Sequence, residues 1–170
     1  LAALSHNYHC IRRFLSPGCR YLAIVKADGY GHGAATVAGQ LQKDGADWFG
    51  VATMEEALDL RRQGIYRPIL VLGYTDPTAA PILASNTITQ TLFSEEYALQ
   101  LAAEAAKAGC VVDCHVKIDT GMSRLGFDAE NENTVLMVEK LAQSGSLHIT
   151  GIFTHFAVAD EDTAVSMAFT

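Results

Sequence analysis

Short apolar runs rich in β-branched and aromatic residues recur along this chain with amphipathic stretches between them, and this alternation limits the folds open to it. Residues 21–26, 48–53, 68–73, 87–92, 113–120 and 148–156 read as six strands. Between them, Ala34, Val37, Ala38 and Leu41 keep helical spacing up to Gly45, and Thr53 with Glu56 forms a capping box that opens a helix closing near Gly64. Phe93, Tyr97 and Leu101 mark one face of a helix ending at Gly109. Val135, Val138, Leu141 and Ala142 stripe another that ends at Gly145. Further helical patterns cover residues 1–15 and begin again near Asp160.

Strands that alternate with helices imply crossover connections and a parallel sheet, so the expected class is α/β. Strand starts lie 19 to 35 residues apart, near the ~30 residues per unit of an eightfold barrel of ~250 residues. Six units do not close such a barrel, so the expectation is an incomplete (β/α)8 TIM-type barrel; a doubly wound open sheet has the same periodicity. The turn after the first strand is rich in glycine but lacks the Gly-x-Gly-x-x-Gly register of a dinucleotide site.

With 49% hydrophobic side chains, the 170 residues can bury a substantial core. The net charge of −7 is spread without a lysine or arginine run, which argues against a nucleic-acid partner and for small-molecule chemistry. No apolar run approaches the ~18 residues of a membrane span, so no membrane contact is expected in this segment. Cys10, Cys19, Cys110 and Cys114 are expected as reduced thiols in a cytoplasmic protein. Cys110 and Cys114 with His115 lack the second ligand pair of a tetrahedral zinc site, and no metal is expected. The chain begins without methionine inside a helical pattern and stops inside another, so truncation at both ends is expected.

Lys26 ends an apolar run in which strand alternation puts Leu22, Ile24 and Lys26 on one face. At the C-terminal rim of a parallel barrel, burial would favour the neutral amine, which can attack an aldehyde. Taken alone, the same lysine could simply extend its head to solvent. On the fifth strand His115, Lys117 and Asp119 alternate with Val116, Ile118 and Thr120, giving one polar face that suits either a barrel interior near a cofactor or an exposed edge.

The segment Val-Lys-Ala-Asp-Gly-Tyr-Gly-His-Gly at residues 25–33 resembles the cofactor-lysine signature of alanine racemases. In the same order, Phe-Gly-Val-Ala at 49–52 with Glu-Glu-Ala at 55–57, Ile-Leu-Val-Leu-Gly at 69–73, Val-Lys-Ile-Asp-Thr-Gly-Met-Ser-Arg-Leu-Gly at 116–126 and Thr-His-Phe-Ala at 154–157 resemble that family too. The resemblance spans essentially the whole chain. It implies a partial N-terminal barrel domain over residues 1–170 that binds pyridoxal 5'-phosphate (PLP), with the family's C-terminal β domain absent. By resemblance, Lys26 carries PLP on its amine and is one of two acid/base groups. Tyr30 hydrogen-bonds the cofactor phosphate, Arg124 contacts the PLP phenolic oxygen and the substrate carboxylate region, and the His155 ring packs beside the pyridine. Lys117 matches a lysine often carried as a carbamate that holds the arginine, and His32 only shapes the turn.

The implied reaction interconverts L- and D-alanine by two bases and supplies D-alanine for peptidoglycan. The second base would be a tyrosine from the partner subunit of a homodimer, lying beyond Thr170, so residues 1–170 alone are expected to be inactive. The sequence departs from the family pattern at Asp28-Gly29, where asparagine-alanine is common, and at Ser123, where glycine is common. A serine or broad-specificity amino-acid racemase, some with a membrane domain attached, shares the lysine motif. A non-catalytic barrel for PLP homeostasis would also keep the lysine, but it has no need of the segment from Lys117 to Arg124.

Overall fold

The computed structural model describes residues 1–160 and 163–169. Its elements run α1 (Ala2–Arg12), β1 (Leu22–Ile24), α2 (Lys26–Tyr30), α3 (Ala34–Asp44), β2 (Trp48–Val51), α4 (Met54–Arg62), β3 (Ile69–Val71), a 3-10 turn (Pro77–Ala79), α5 (Ala80–Ser85), β4 (Ile88–Leu92), α6 (Glu95–Lys107), β5 (Val112–Asp119), β6 (Phe127–Asp128), α7 (Thr134–Ala142), β7 (Leu147–Phe153) and α8 (Ala164–Phe169). The described strand pairings are parallel, so the expected α/β class is the one found. The residues divide into two compact units, Leu1–Thr75 with Ser85–Gln90, and Asp76–Ala84 with Thr91–Thr170.

In the first unit β1, β2, β3 and the start of β4 lie side by side in chain order, with Ala23 opposite Phe49, Phe49 opposite Ile69 and Ile69 opposite Ile88. These four side chains are buried, as are Ala38 and Leu41 of α3 and Ala57 and Leu60 of α4. Helices with one apolar stripe thus cover a sheet too apolar to face water. Leu22, Ile24 and Leu72 approach Gly50 on the other face of the sheet. Arg61 of α4 closes one edge of the core: its guanidinium donates to the carbonyls of Ile65, Arg67, Asn86 and Thr87 at 2.7 to 2.9 Å.

In the second unit β5 pairs with β7 along most of its length, with a bulge between Cys114 and His115, and with β6 at Ile118 and Asp119. Tyr97, Ala98, Leu101, Ala102 and Ala105 form the buried face of α6. Ser94 caps that helix by accepting the Tyr97 N–H at 3.2 Å, and Phe93 stacks on Tyr97 just outside it. Phe93 therefore precedes the helix and does not extend its face.

All six expected strands are found, most of them shortened. The run at residues 21–26 pairs only as far as Ile24, because the backbone turns left-handed just after Lys26. The run at residues 148–156 ends at Phe153, which leaves His155 beyond the strand. β6 is an additional strand of two residues. The stripe expected on α7 is only partly inward: Leu141 is buried, whereas Val135 and Ala142 are exposed. All four cysteines are free thiols. Cys114 is buried, its Sγ donates to the Val112 carbonyl, and burial pushes the thiol pKa far up, so it serves as a small core side chain. No helix among the described residues is long and apolar enough to cross a membrane.

Candidate functional site: a strained lysine turn and a buried second lysine

Lys26 is half-buried and stands two residues past the end of β1, after Val25, at the first residue of a single turn. The strand alternation expected to place it does not reach it. Its position is instead set by three successive left-handed residues, Ala27 (φ 51°, ψ 51°), Asp28 (φ 52°, ψ 46°) and Gly29 (φ 62°, ψ 38°), followed by Tyr30 at φ 56°. Left-handed conformation costs a residue bearing a Cβ roughly 1–2 kcal/mol, so Ala27, Asp28 and Tyr30 adopt it only under outside constraint.

The constraints on this turn are visible. Gly29 N–H donates to the Val25 carbonyl at 2.9 Å, and Gly31 N–H to the carbonyls of Ala27 and Asp28 at 3.1 Å. Asp28 Oδ1 accepts the Ala34 N–H at 2.7 Å, capping the start of α3. Glu56 of α4 accepts the Ala27 N–H through Oε1 at 2.6 Å and the Ala52 N–H through Oε2 at 2.7 Å. Thr53 Oγ1 receives the Glu56 N–H at 3.3 Å, as the capping box predicts. The reciprocal half of that box differs, since the carboxylate reaches past the cap to two other amides. Tyr30 leaves the turn with 61% of its surface exposed, and His32 is exposed beside it.

In the second unit, Lys117 of β5 keeps 4% of its surface exposed. Its Nζ donates to the carbonyls of Ile118 at 2.8 Å and Leu125 at 3.4 Å, and lies 6.0 Å from the centre of the Phe153 ring. Burial lowers the Lys117 pKa, Arg124 lowers it further by repulsion, and Asp119 opposes both. The polar face expected on β5 is thus half right, with Lys117 fully buried and His115 and Asp119 half-buried. The His115 ring packs so closely over Gly151 that a Cβ there would lie 2.8 Å from it, and burial lowers the imidazole pKa.

Arg124 is exposed on the loop that joins β5 to β6. Asp119 organises that loop by accepting the N–H groups of Gly121 at 3.1 Å and Ser123 at 3.0 Å, bonds that hold its carboxyl below the usual range. The loop returns along β5 so closely that a Cβ on Gly126 (φ 131°) would lie 2.7 Å from the Asp119 nitrogen. His155 is exposed one residue past Thr154, whose Oγ1 donates to the Ile118 carbonyl at 2.9 Å and pairs with Thr120 Oγ1 at 2.7 Å. Lys117, Arg124 and His155 are therefore mounted on the C-terminal ends of β5 and β7. Lys26 and Tyr30 share the turn of the first unit.

Sequence reasoning assigned Glu56 only to a helix start and did not single out Thr120 or Thr154. The carboxylate joins residues 29 positions apart, and no local spacing signals that contact.

The sequence matches the family model described as alanine racemase, N-terminal domain, over residues 1–169. The alanine racemase of Desulfovibrio desulfuricans is 46% identical over 160 residues, which are 94% of this chain and 43% of that protein. A protein of Enterococcus faecalis named amino-acid racemase is 40% identical over 167 residues, 98% of this chain and 22% of its own length. The solved alanine racemase of Clostridium difficile 630 superposes with a TM-score of 0.93 at 38% identity over 99% of this chain and 44% of that one. The chain therefore spans less than half the length of these relatives, and the incomplete parallel barrel expected from strand spacing agrees with the structural likeness.

Proposed function

Since this chain belongs to the alanine racemase N-terminal domain family, we propose that it is the lysine-bearing part of a PLP-dependent racemase that interconverts L- and D-alanine. One observation carries the reading: the lysine of the family motif is half-buried near a strand end, followed by left-handed backbone at Ala27, Asp28, Gly29 and Tyr30, three of which are not glycine. Strain of that kind collects where a side chain must point in a defined direction.

The residues present fit the cofactor. Lys26 offers an amine suited to an aldehyde, and Tyr30, exposed on the same turn, offers a phenol that would hydrogen-bond the phosphate. Arg124 supplies a permanently charged planar fork for the phenolic oxygen and the substrate carboxylate, and His155 a flat ring to lie beside the pyridine. PLP, when bound, serves as the electron sink that makes the α-proton of an amino acid acidic. Lys26 Nζ takes that proton on one face or returns it, while the partner subunit's tyrosine base serves the opposite face. The complete protein is proposed to be a cytoplasmic homodimer that makes D-alanine for peptidoglycan.

Lys117 is proposed to hold Arg124 as a carbamate. Its lowered pKa favours the neutral amine, whose nitrogen bonds to the carbon of carbon dioxide and sheds one proton, leaving an anion. The repulsion between the ammonium and the guanidinium then becomes a charge-assisted attraction.

The likeness to the Enterococcus amino-acid racemase supports a second reading, broader specificity that includes serine. The test is incorporation of solvent deuterium at Cα by the full-length protein with PLP, measured on each enantiomer of alanine and of serine. The proposal requires exchange of both alanine enantiomers and its loss in Lys26→Ala. A kcat/KM for serine equal to that for alanine would favour the second reading, and unchanged exchange in Lys26→Ala would refute both.

A further inference from the structure

The carboxylate of Glu56 has a use that its place in a capping box does not require. In a capping box the third helical residue turns back to the N–H of its own cap residue. Here Thr53 is the cap, and Glu56 ignores its N–H. Oε2 takes the N–H of Ala52, one residue earlier, at 2.7 Å, and Oε1 takes the N–H of Ala27, on a different segment, at 2.6 Å.

Ala27 N–H belongs to the peptide unit that follows Lys26. A rigid planar peptide transmits any restraint on its N–H to the ψ angle of the residue before it, here Lys26. Ala27 is also the first of the left-handed residues, and its methyl group disfavours that conformation. A short, charge-assisted hydrogen bond at this nitrogen is therefore well placed to hold the turn against relaxation. The same carboxylate is anchored to the end of β2 through Ala52, so the restraint is referred to the sheet and not to a mobile side chain.

We infer that Glu56 is a positioning residue for Lys26: by gripping the Ala27 and Ala52 amides at once, it fixes the direction in which the Lys26 amine is presented to an aldehyde cofactor. The inference rests on the reading of Lys26 as the PLP lysine. The chemistry of the grip is specific to a carboxylate, because two diverging N–H donors need two acceptor oxygens. A glutamine supplies one acceptor and one donor, so one amide would face another N–H. An aspartate keeps the charge but is one methylene too short to span both amides.

The experiment compares the full-length wild-type protein with Glu56→Gln, Glu56→Asp and Thr53→Ala. Thr53→Ala weakens the start of the same helix but leaves both carboxylate contacts. In cofactor-free protein, amide hydrogen exchange at Ala27 should quicken at least about tenfold in Glu56→Gln, the loss expected for one hydrogen bond to a charged group, and stay near wild type in Thr53→Ala. The dissociation constant for PLP should rise in parallel, and kcat should fall with little change in KM for alanine. Glu56→Asp should lie between, and it gives the reading if Glu56→Gln does not fold. Wild-type exchange at Ala27 in the folded Glu56 variants would overturn the inference, as would Thr53→Ala reproducing both the exchange and the PLP effects. If wild-type protein carries PLP on another residue, the reading of Lys26 fails and the positioning role toward the cofactor falls with it, even where the exchange result stands.

Discussion

Lys117 donates from Nζ to the carbonyl of Ile118, the next residue along the same strand, at 2.8 Å, so its ammonium is folded back onto β5 and not extended to solvent. A cation buried in this way resists its own charge. The folded protein holds the Lys117 pKa below the ordinary 10.5, chiefly through burial. Between the two values the unfolded chain binds more protons than the folded one, so the free energy of unfolding rises with pH across that interval. Urea unfolding at stepped alkaline pH, in buffer free of carbon dioxide, should show this rise, and Lys117→Met should flatten it.

A carbamate on Lys117 would have its own signature. With isotopically labelled bicarbonate near neutral pH, a carbon resonance attached to Lys117 should appear, and acidification should remove it together with any gain in stability. Lys117→Arg, which cannot form the adduct, should show neither. A labelled signal that survives this substitution would assign the carbon to another amine.

The loop carrying Arg124 depends on close approach at Gly126. A Cβ there would meet the Asp119 nitrogen at 2.7 Å and the Lys117 carbonyl oxygen at 3.1 Å, on a backbone at φ 131°. Gly126→Ala should therefore destabilise by about 1–3 kcal/mol, from strain and displacement of the loop together. The denaturation midpoint of the full-length protein reads this directly, and a neutral effect would mean that the loop can move away from β5.

Arg61 illustrates stability supplied by a planar fork. Its guanidinium donates to four backbone carbonyls, those of Ile65, Arg67, Asn86 and Thr87. Lysine cannot reproduce that geometry and would leave partly buried carbonyls unpaired. Arg61→Lys should cost about 3 kcal/mol in unfolding free energy, most of it from those unmade bonds.

Asp28 separates charge from shape in the lysine turn. Its Oδ1 caps α3 by accepting the Ala34 N–H, from a residue at φ 52°. Asparagine offers the same acceptor and tolerates the same backbone, whereas alanine keeps the strain and loses the cap. Asp28→Asn should be close to neutral, and Asp28→Ala should lose about 1 kcal/mol by thermal or urea unfolding.

Much of this fold was legible because burial writes itself into short runs. Ile69, Leu70 and Val71 are all buried, and a continuous apolar run of that length needs no finer pattern to be read as a strand. The helix ends at Gly45 and Gly64 were legible for a different reason: both adopt positive φ, which glycine alone accommodates without cost. The turn after Lys26 was not, because Ala27 carries no sign that it will be left-handed. The turn is gripped by Glu56, 29 positions away, and by the start of α3, six positions from Asp28, through contacts that no local spacing signals. β6 escaped notice since two residues give no periodicity, and Val135 was placed inward because helical spacing identifies a stripe without saying how far along it the core extends. The roles proposed for Lys26, Tyr30, Lys117, Arg124 and His155 come from the motifs that resemble the family and not from spacing or composition. Composition alone would have left Lys26 as a lysine at a strand end.

On this reading the Lys26 amine, and no other, holds PLP. Full-length protein incubated with PLP, reduced with borohydride and digested should yield a single pyridoxyl-bearing peptide with the modification on Lys26, while Lys26→Arg should yield none. A reduced adduct on Lys43, Lys107, Lys117 or Lys140, or one that persists in Lys26→Arg, would contradict it.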